Sequence, residues 1–357
     1  MSFENLDLEK EGITVVKKLT PSEINEISKY VADTLFAKFS TLNFNYPALY
    51  SNIANLSMYY AKMPEGLSSA CYCYKNSSIY FSYGSDINEL KKLAVHEVIH
   101  HFQEVKTPGG RLYKLGLTSY LGSKTFGNSI NEAAVQFMSA YATNEEREIV
   151  TYYGITLPTD SPNYYPIITN LIKQIGYLVG YSVLFESTFF ADNKFYDSFK
   201  ELLGESNAYK IQDLFDKIMS IEENVIKLSL KLRTEDLSNK KFKKLSLKID
   251  KLKLSLKDTF FTTQNIILKS FFDKKINEIS CPEDVVKYRN LLYSFTNLIG
   301  SSPEYSFFND FYIQKMIELD NKFNNNSLTI VKQSKLSLFF QKIKGLFSVK
   351  STSSELT

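Results

Sequence analysis

The sequence predicts an α+β protein of 357 residues, and three observations carry the prediction. Short aromatic runs of strand character crowd the first hundred residues. Lys/Leu-rich segments free of Gly and Pro dominate the chain beyond residue 220. All three histidines fall within six residues, 96–101. Strands early and helices late give the α+β layout rather than an alternating one. A composition of 44% hydrophobic and 23% charged residues is that of a folded chain with a core. With 27 Phe, 24 Tyr and no Trp, Phe is the bulky core filler and Tyr takes half-buried positions.

Residues 13–19 read as a first strand. Thr20-Pro21-Ser22-Glu23 then opens a helix, with a capping residue, Pro at the first helical position and an early acid, and the helix runs to about Phe39. Met58–Lys62 and Ala70–Tyr74 are β-like, and Ser78–Tyr83 is the best strand in the chain. Gly84-Ser85-Asp86 ends it, and a helix follows from Ile87 to Glu104. Residues 105–127 read as loop, with five glycines from Gly109 to Gly127. Ser129–Ala142 is helical, Thr156–Pro166 is a turn segment with three prolines, and Ile167–Phe190 and Lys194–Gly204 are further helices. Beyond residue 220, Phe242, Leu245, Ile249, Leu252 and Leu256 lie on one helical seam. The expected units are a first domain over 1–220, a helical domain over 221–333 and a tail over 334–357.

Charge separates these units. Residues 1–220 carry a formal −5 and residues 221–357 a formal +8. The basic part reads first as a solvated helical face. It holds no nucleic-acid motif and Lys far outnumbers Arg, so no nucleic-acid partner is expected. In the tail, Leu336, Phe339, Phe340, Ile343 and Phe347 can share a face; packing on its own domain is preferred there over contact with a membrane surface. Cys71, Cys73 and Cys281 are too few for a disulfide framework and read as small core residues. Residues 1–12 are acidic with no apolar stretch, and no run of 18 apolar residues occurs, so the expected location is the cytoplasm.

The chemistry concentrates in Val95-His96-Glu97-Val98-Ile99-His100-His101. Residues four apart stack on one helix face, so His96 and His100 can grip one metal ion. Glu97 sits one step around, where a carboxylate can take a proton from a metal-activated water. His101 lies about 100° from His100 and cannot join the same chelate. A catalytic zinc needs a third protein ligand, which here must be Asp, Glu, Cys or Tyr. Glu132 is the best candidate: a glycine-containing loop opens its helix, and Ala133 and Ala134 allow close helix approach.

His96-Glu97-Val98-Ile99-His100 followed by Asn131-Glu132-Ala133 resembles the gluzincin metallopeptidases, the thermolysin-like class. The resemblance covers about residues 55–205. It implies a zincin-like domain, a small mixed sheet with active-site helices, and a Zn2+-dependent hydrolase acting on a peptide or protein substrate. It implies His96, His100 and Glu132 as ligands, Glu97 as general base and Asn131 as a residue orienting a ligand. A strand pairing with extended substrate is expected at Ser78–Tyr83. A transition-state donor is expected among Tyr141, Tyr152, Tyr153, Tyr164 and Tyr165, with Tyr141, Tyr164 and Tyr165 preferred. The alternative is a non-catalytic or regulatory protein of the same fold, binding through its basic helical region.

Overall fold

Thr20 starts the first long helix as its surroundings predict. Its hydroxyl accepts from the Glu23 N–H while the Glu23 carboxylate accepts from the Thr20 N–H, a reciprocal cap that opens α1 (Pro21–Lys38). The computed structural model describes residue 8 and residues 12–64, 69–121, 124–235, 238–300 and 306–325. The expected tail over 334–357 lies outside the described residues.

β1 (Thr14–Lys18), β2 (Ser57–Lys62), β3 (Ala70–Cys73) and β4 (Ser78–Ser82) form one mixed sheet in the order β1-β2-β4-β3. β2 and β4 run parallel, and the outer strands pair antiparallel. Ser78–Tyr83 is therefore interior, not the edge expected from its sequence. Its continuous burial from Ser78 to Phe81 is the mark of a strand flanked on both sides and covered. The outer strand beside it is β3, and β1 closes the opposite edge. α1, α2 (Tyr46–Ala54) and α3 (Ile87–Phe102) pack with this sheet around Ile27, Leu35, Ile53, Phe81 and Val95. The short helix α2 was not legible in the sequence.

Residues 105–127, expected as loop, form most of a four-stranded meander: β5 (Glu104–Lys106), β6 (Leu112–Leu115), β7 (Thr118–Leu121) and β8 (Lys124–Phe126). Gly110 and Gly116, both left-handed, lie in its first two turns. Lys114 anchors the meander: its buried ammonium donates to the Ala191 and Asp192 carbonyls and to Asn193 Oδ1, at 2.6, 2.7 and 2.8 Å. α4 (Asn128–Ala142) follows, then a hairpin of β9 (Glu148–Tyr152) and β10 (Ile155–Thr159), the latter inside the stretch expected as turn.

The helix expected over Ile167–Phe190 is two helices, α5 (Pro166–Val179) and α6 (Tyr181–Phe190), bent by 111° at Gly180. Gly180 has φ +108°, which no helix interior adopts. Among the described residues, no single helix is long and apolar enough to cross a membrane.

α7 (Lys194–Leu203), α8 (Glu205–Thr234), α9 (Asn239–Asn277), α10 (Pro282–Ile299) and α11 (Ser306–Asn325) complete the described residues. The expected boundary between residues 220 and 221 falls inside α8. One core joins Phe137 and Ile168 to Phe215, Phe260, Phe272 and Phe295, so the helical region shares its interior with the rest.

Within that core Glu222 of α8 is buried with neither carboxylate oxygen hydrogen-bonded among the described residues. Burial pushes its carboxyl up to about 8. A raised carboxyl contributes its full stability below the unfolded-state value and loses it as pH rises toward the folded one. Between about pH 4.5 and pH 8 Glu222 therefore costs stability progressively, about 3 kcal/mol by pH 7. Glu222→Leu should be more stable than the wild type at pH 8, with a smaller gain at pH 5. Urea unfolding at both pH values measures the difference.

Candidate metal and catalytic site

Asp86 accepts from the Asn88 and Glu89 N–H groups and fixes the start of α3. One face of the helix then buries Leu90, Ala94, Val98 and Ile99. That orientation sends His96 and His100, one turn apart, toward α4. α4 begins at Gly127, left-handed at φ +77°, where a Cβ would collide with the Leu117 carbonyl and the Tyr196 hydroxyl. No side chain of its own caps this helix. Asp216 of α8 does so instead, accepting from the Ser129 hydroxyl at 2.6 Å and, more weakly, from the Ser129 N–H. Glu132 stands three residues further on, and the buried Ala133 and Ala134 keep α4 slender.

The helices bring the three expected ligands together. His96 Nε2 lies 3.1 Å from His100 Nε2 and 3.2 Å from Glu132 Oε1, and His100 Nε2 lies 3.4 Å from Glu132 Oε2. These three residues form a group able to hold a metal ion. A tetrahedral zinc with bonds of about 2.0–2.1 Å separates its ligand atoms by about 3.3 Å, so the spacing fits. Two imidazole lone pairs this close repel unless a cation stands with them. Burial disfavours a charged His96, yet Glu132 and Glu97 outweigh it and lift the ring to about 9. Burial likewise opposes ionisation of Glu132, but the two histidines more than offset it and hold its carboxyl well below the usual range. The carboxylates around it therefore favour positive charge at His96.

A buried network stiffens His100. Its Nδ1–H donates to Gln103 Oε1 at 3.2 Å, leaving Nε2 free for a metal. The Asn131 amide donates to the same oxygen at 3.1 Å, and Asn131 Oδ1 accepts from the Leu117 N–H at 2.9 Å. Asn131 thus supports a ligand as expected, but through Gln103, which the sequence reading missed. Gly116, left-handed at φ +54°, makes room: a Cβ there would collide with both amides. Among the described residues His96 Nδ1 makes no hydrogen bond of regular geometry, although the Gln136 side chain lies beside the ring and favours its protonated form.

Glu97 points into the same cleft, about 720 Å³ in volume. It is buried, which pushes its carboxyl up, while the histidines and the Tyr72 backbone pull the other way. Cys71 and Tyr72 of β3 form one wall of the cleft. The three cysteines are half-buried rather than core, and Cys71 borders the site. His101 turns away from the ligands, as its helical angle requires. Its Nδ1 lies 2.9 Å from the Tyr72 hydroxyl, which donates to Glu104 at 2.6 Å. The phenol proton is thereby used, so His101 carries its own proton on Nδ1.

The tyrosine candidates separate cleanly. Tyr164 and Tyr165 line the cleft. The Tyr165 phenol is pushed far up, first by Glu132, then by burial and Glu97. Its backbone is left-handed at φ +50°, a strained setting for a bulky residue. Ser161 holds this turn, donating to the Tyr164 carbonyl at 2.5 Å and accepting from Gln136 of α4 at 2.8 Å. Tyr141 lies nine residues beyond Glu132, two and a half turns on, and so faces the other side of α4. It packs on Phe39 and Phe185 outside the cleft. Tyr152 and Tyr153 pack on each other, also outside it.

In comparisons with known proteins, the sequence matches no family model, no curated protein and no solved structure.

Gln103→Leu removes the acceptor for His100 and strands the Asn131 amide. Zinc affinity is expected to fall about 10–100-fold, read by chelator competition, with the helix content unchanged. Zinc binding at Nε2 would have to displace the His96 proton, so affinity for added zinc is expected to climb as pH rises to about 9 and level above it. The same competition assay run across pH measures this.

Proposed function

We propose that this chain is a zinc-dependent peptidase of gluzincin type. The observation that carries the reading is the close triangle of His96, His100 and Glu132 donor atoms, with the buried carboxylate of Glu97 in the same cleft. Zinc, when bound, supplies Lewis acidity: it lowers the pKa of water and polarises a carbonyl.

The chain's own groups supply the rest. Glu97, its carboxyl pushed up by burial, accepts a proton from water as the water oxygen bonds to the peptide carbonyl carbon. When the C–N bond breaks, Glu97 returns that proton to the leaving amine. Tyr165, kept protonated by the acids around it, donates to the carbonyl oxygen as negative charge develops there. Extended substrate is expected beside β3, the strand that borders the cleft, rather than along Ser78–Tyr83. A purely structural metal site has no use for Glu97, and a buried carboxylate in the same cleft as the three donor residues favours the catalytic reading over the binding one.

Protein purified without added metal is expected to hold about one zinc per chain, lost in His96→Ala and in Glu132→Ala. Glu97→Gln should keep the metal and lose roughly 10²–10⁴ of its turnover of a quenched fluorescent peptide library. A wild-type protein that takes up no zinc, or takes it up and cleaves nothing in the library, would refute the peptidase reading. Tyr165→Phe should lower kcat about 10²–10³-fold with metal content and KM nearly unchanged. An equal loss in Tyr164→Phe with none in Tyr165→Phe would move the donor to the neighbouring phenol.

A further inference from the structure

The far end of the α8–α9 hairpin projects past the body of the protein. Val225 is the last buried residue of α8 and Ile249 the first of α9, and none of residues 226–235 or 238–248 is buried. About ten residues of each helix, roughly 15 Å of rod, thus extend into solvent.

Two properties of this arm are unusual for a solvated hairpin. The first is charge. Residues 227–258 hold eleven Lys and Arg against four Asp and Glu, a formal +7, in a chain whose total is +3. Lys240, Lys241, Lys243, Lys244, Lys248 and Lys251 have no carboxylate at ion-pair distance among the described residues. The second is apolar exposure in the same place. Leu247 and Leu254 are 62% and 61% exposed and lie two turns apart on one face, with Lys240, Lys243, Lys244 and Lys251 around them. Alongside α9 runs a groove of about 650 Å³ lined by Leu245 and Leu247 together with five lysines and one acid, Glu235.

We propose that this arm docks on an anionic phospholipid surface, its lysines meeting the headgroups while Leu247 and Leu254 enter the interface. The charge decides among occupants. The chain's own segment 334–350 carries four lysines and no acid, so the arm repels it, and the arm of a second copy is repelled in the same way. An acidic protein would meet the charge but not the residue type. The eleven cations are ten Lys and one Arg, whereas protein interfaces favour Arg and are poor in Lys. Long lysine stems beside exposed leucines suit a bilayer, because the ammonium reaches outward to phosphate as the leucine sinks. The projection of the arm lets a broad surface reach it. The inference is independent of the chemistry in the cleft.

Sedimentation of the full chain with vesicles tests it. Binding is expected to vesicles of phosphatidylcholine mixed with phosphatidylglycerol, not to phosphatidylcholine alone, and to weaken with added salt. Replacing Lys240, Lys243, Lys244 and Lys251 together by Glu should lower partitioning at least about tenfold. Leu247→Ser with Leu254→Ser leaves every charge in place and should lower it several-fold. All replaced side chains are exposed, and matching circular dichroism and thermal midpoints identify folded variants. No sedimentation of the wild type with anionic vesicles would overturn the proposal. So would binding that the lysine variant retains, or that the leucine variant leaves unchanged. Hairpin-dependent self-association without vesicle binding would overturn it in favour of a second copy.

Discussion

Everything at the candidate site depends on how closely α3 and α4 approach. Three donor atoms 3.1–3.4 Å apart are tolerable in a buried place only with positive charge among them. Glu132, which would share a cation, favours that charge at His96. Two alanines beside Glu132, a left-handed glycine before it and a carboxylate reaching from α8 are the means by which the sequence maintains the approach.

Support is unequal around the triangle. His100 is braced by Gln103, Asn131 and the Leu117 backbone, a chain of amides in which Gly116 alone leaves space. His96 has no such brace on Nδ1 and depends on its carboxylate neighbours for orientation. Opposite them, Tyr165 stands on a strained turn that α4 itself secures through Gln136 and Ser161. The helix bearing one ligand therefore also positions the phenol across the cleft.

The sequence disclosed what is local. His96, Glu97 and His100 were legible because helical periodicity turns their spacing into geometry, and Glu132 because the residues beside it are small. The capped start of α1 and the long Lys/Leu helix were legible for the same reason. What depends on tertiary neighbours was not. Gln103 at a helix end reads as solvent-facing until Asn131 arrives from another helix. Tyr165 is one of 24 tyrosines, and its distinction comes from acids distant in sequence. Glycines at 110 and 116 suggested loop but lie in the first two turns of a meander, because three- and four-residue strands leave little periodicity to detect. Strand order was equally hidden: Ser78–Ser82 earns its apolar run by lying between two neighbours, and the border of the cleft passes to the plainer Ala70–Cys73.

The continuity of α8 has a consequence for how this protein can be divided. The helix leaves the core beside α4, gives Asp216 to the first turn of the ligand-bearing helix, and continues without a break into the exposed arm. A truncation at residue 220 would take away Leu256, Phe260, Phe272 and Phe295 and bare the apolar side chains packed against them, Phe215 among them. The arm thus grows from helices whose inner turns complete the core, and a cut at residue 220 removes core and arm together.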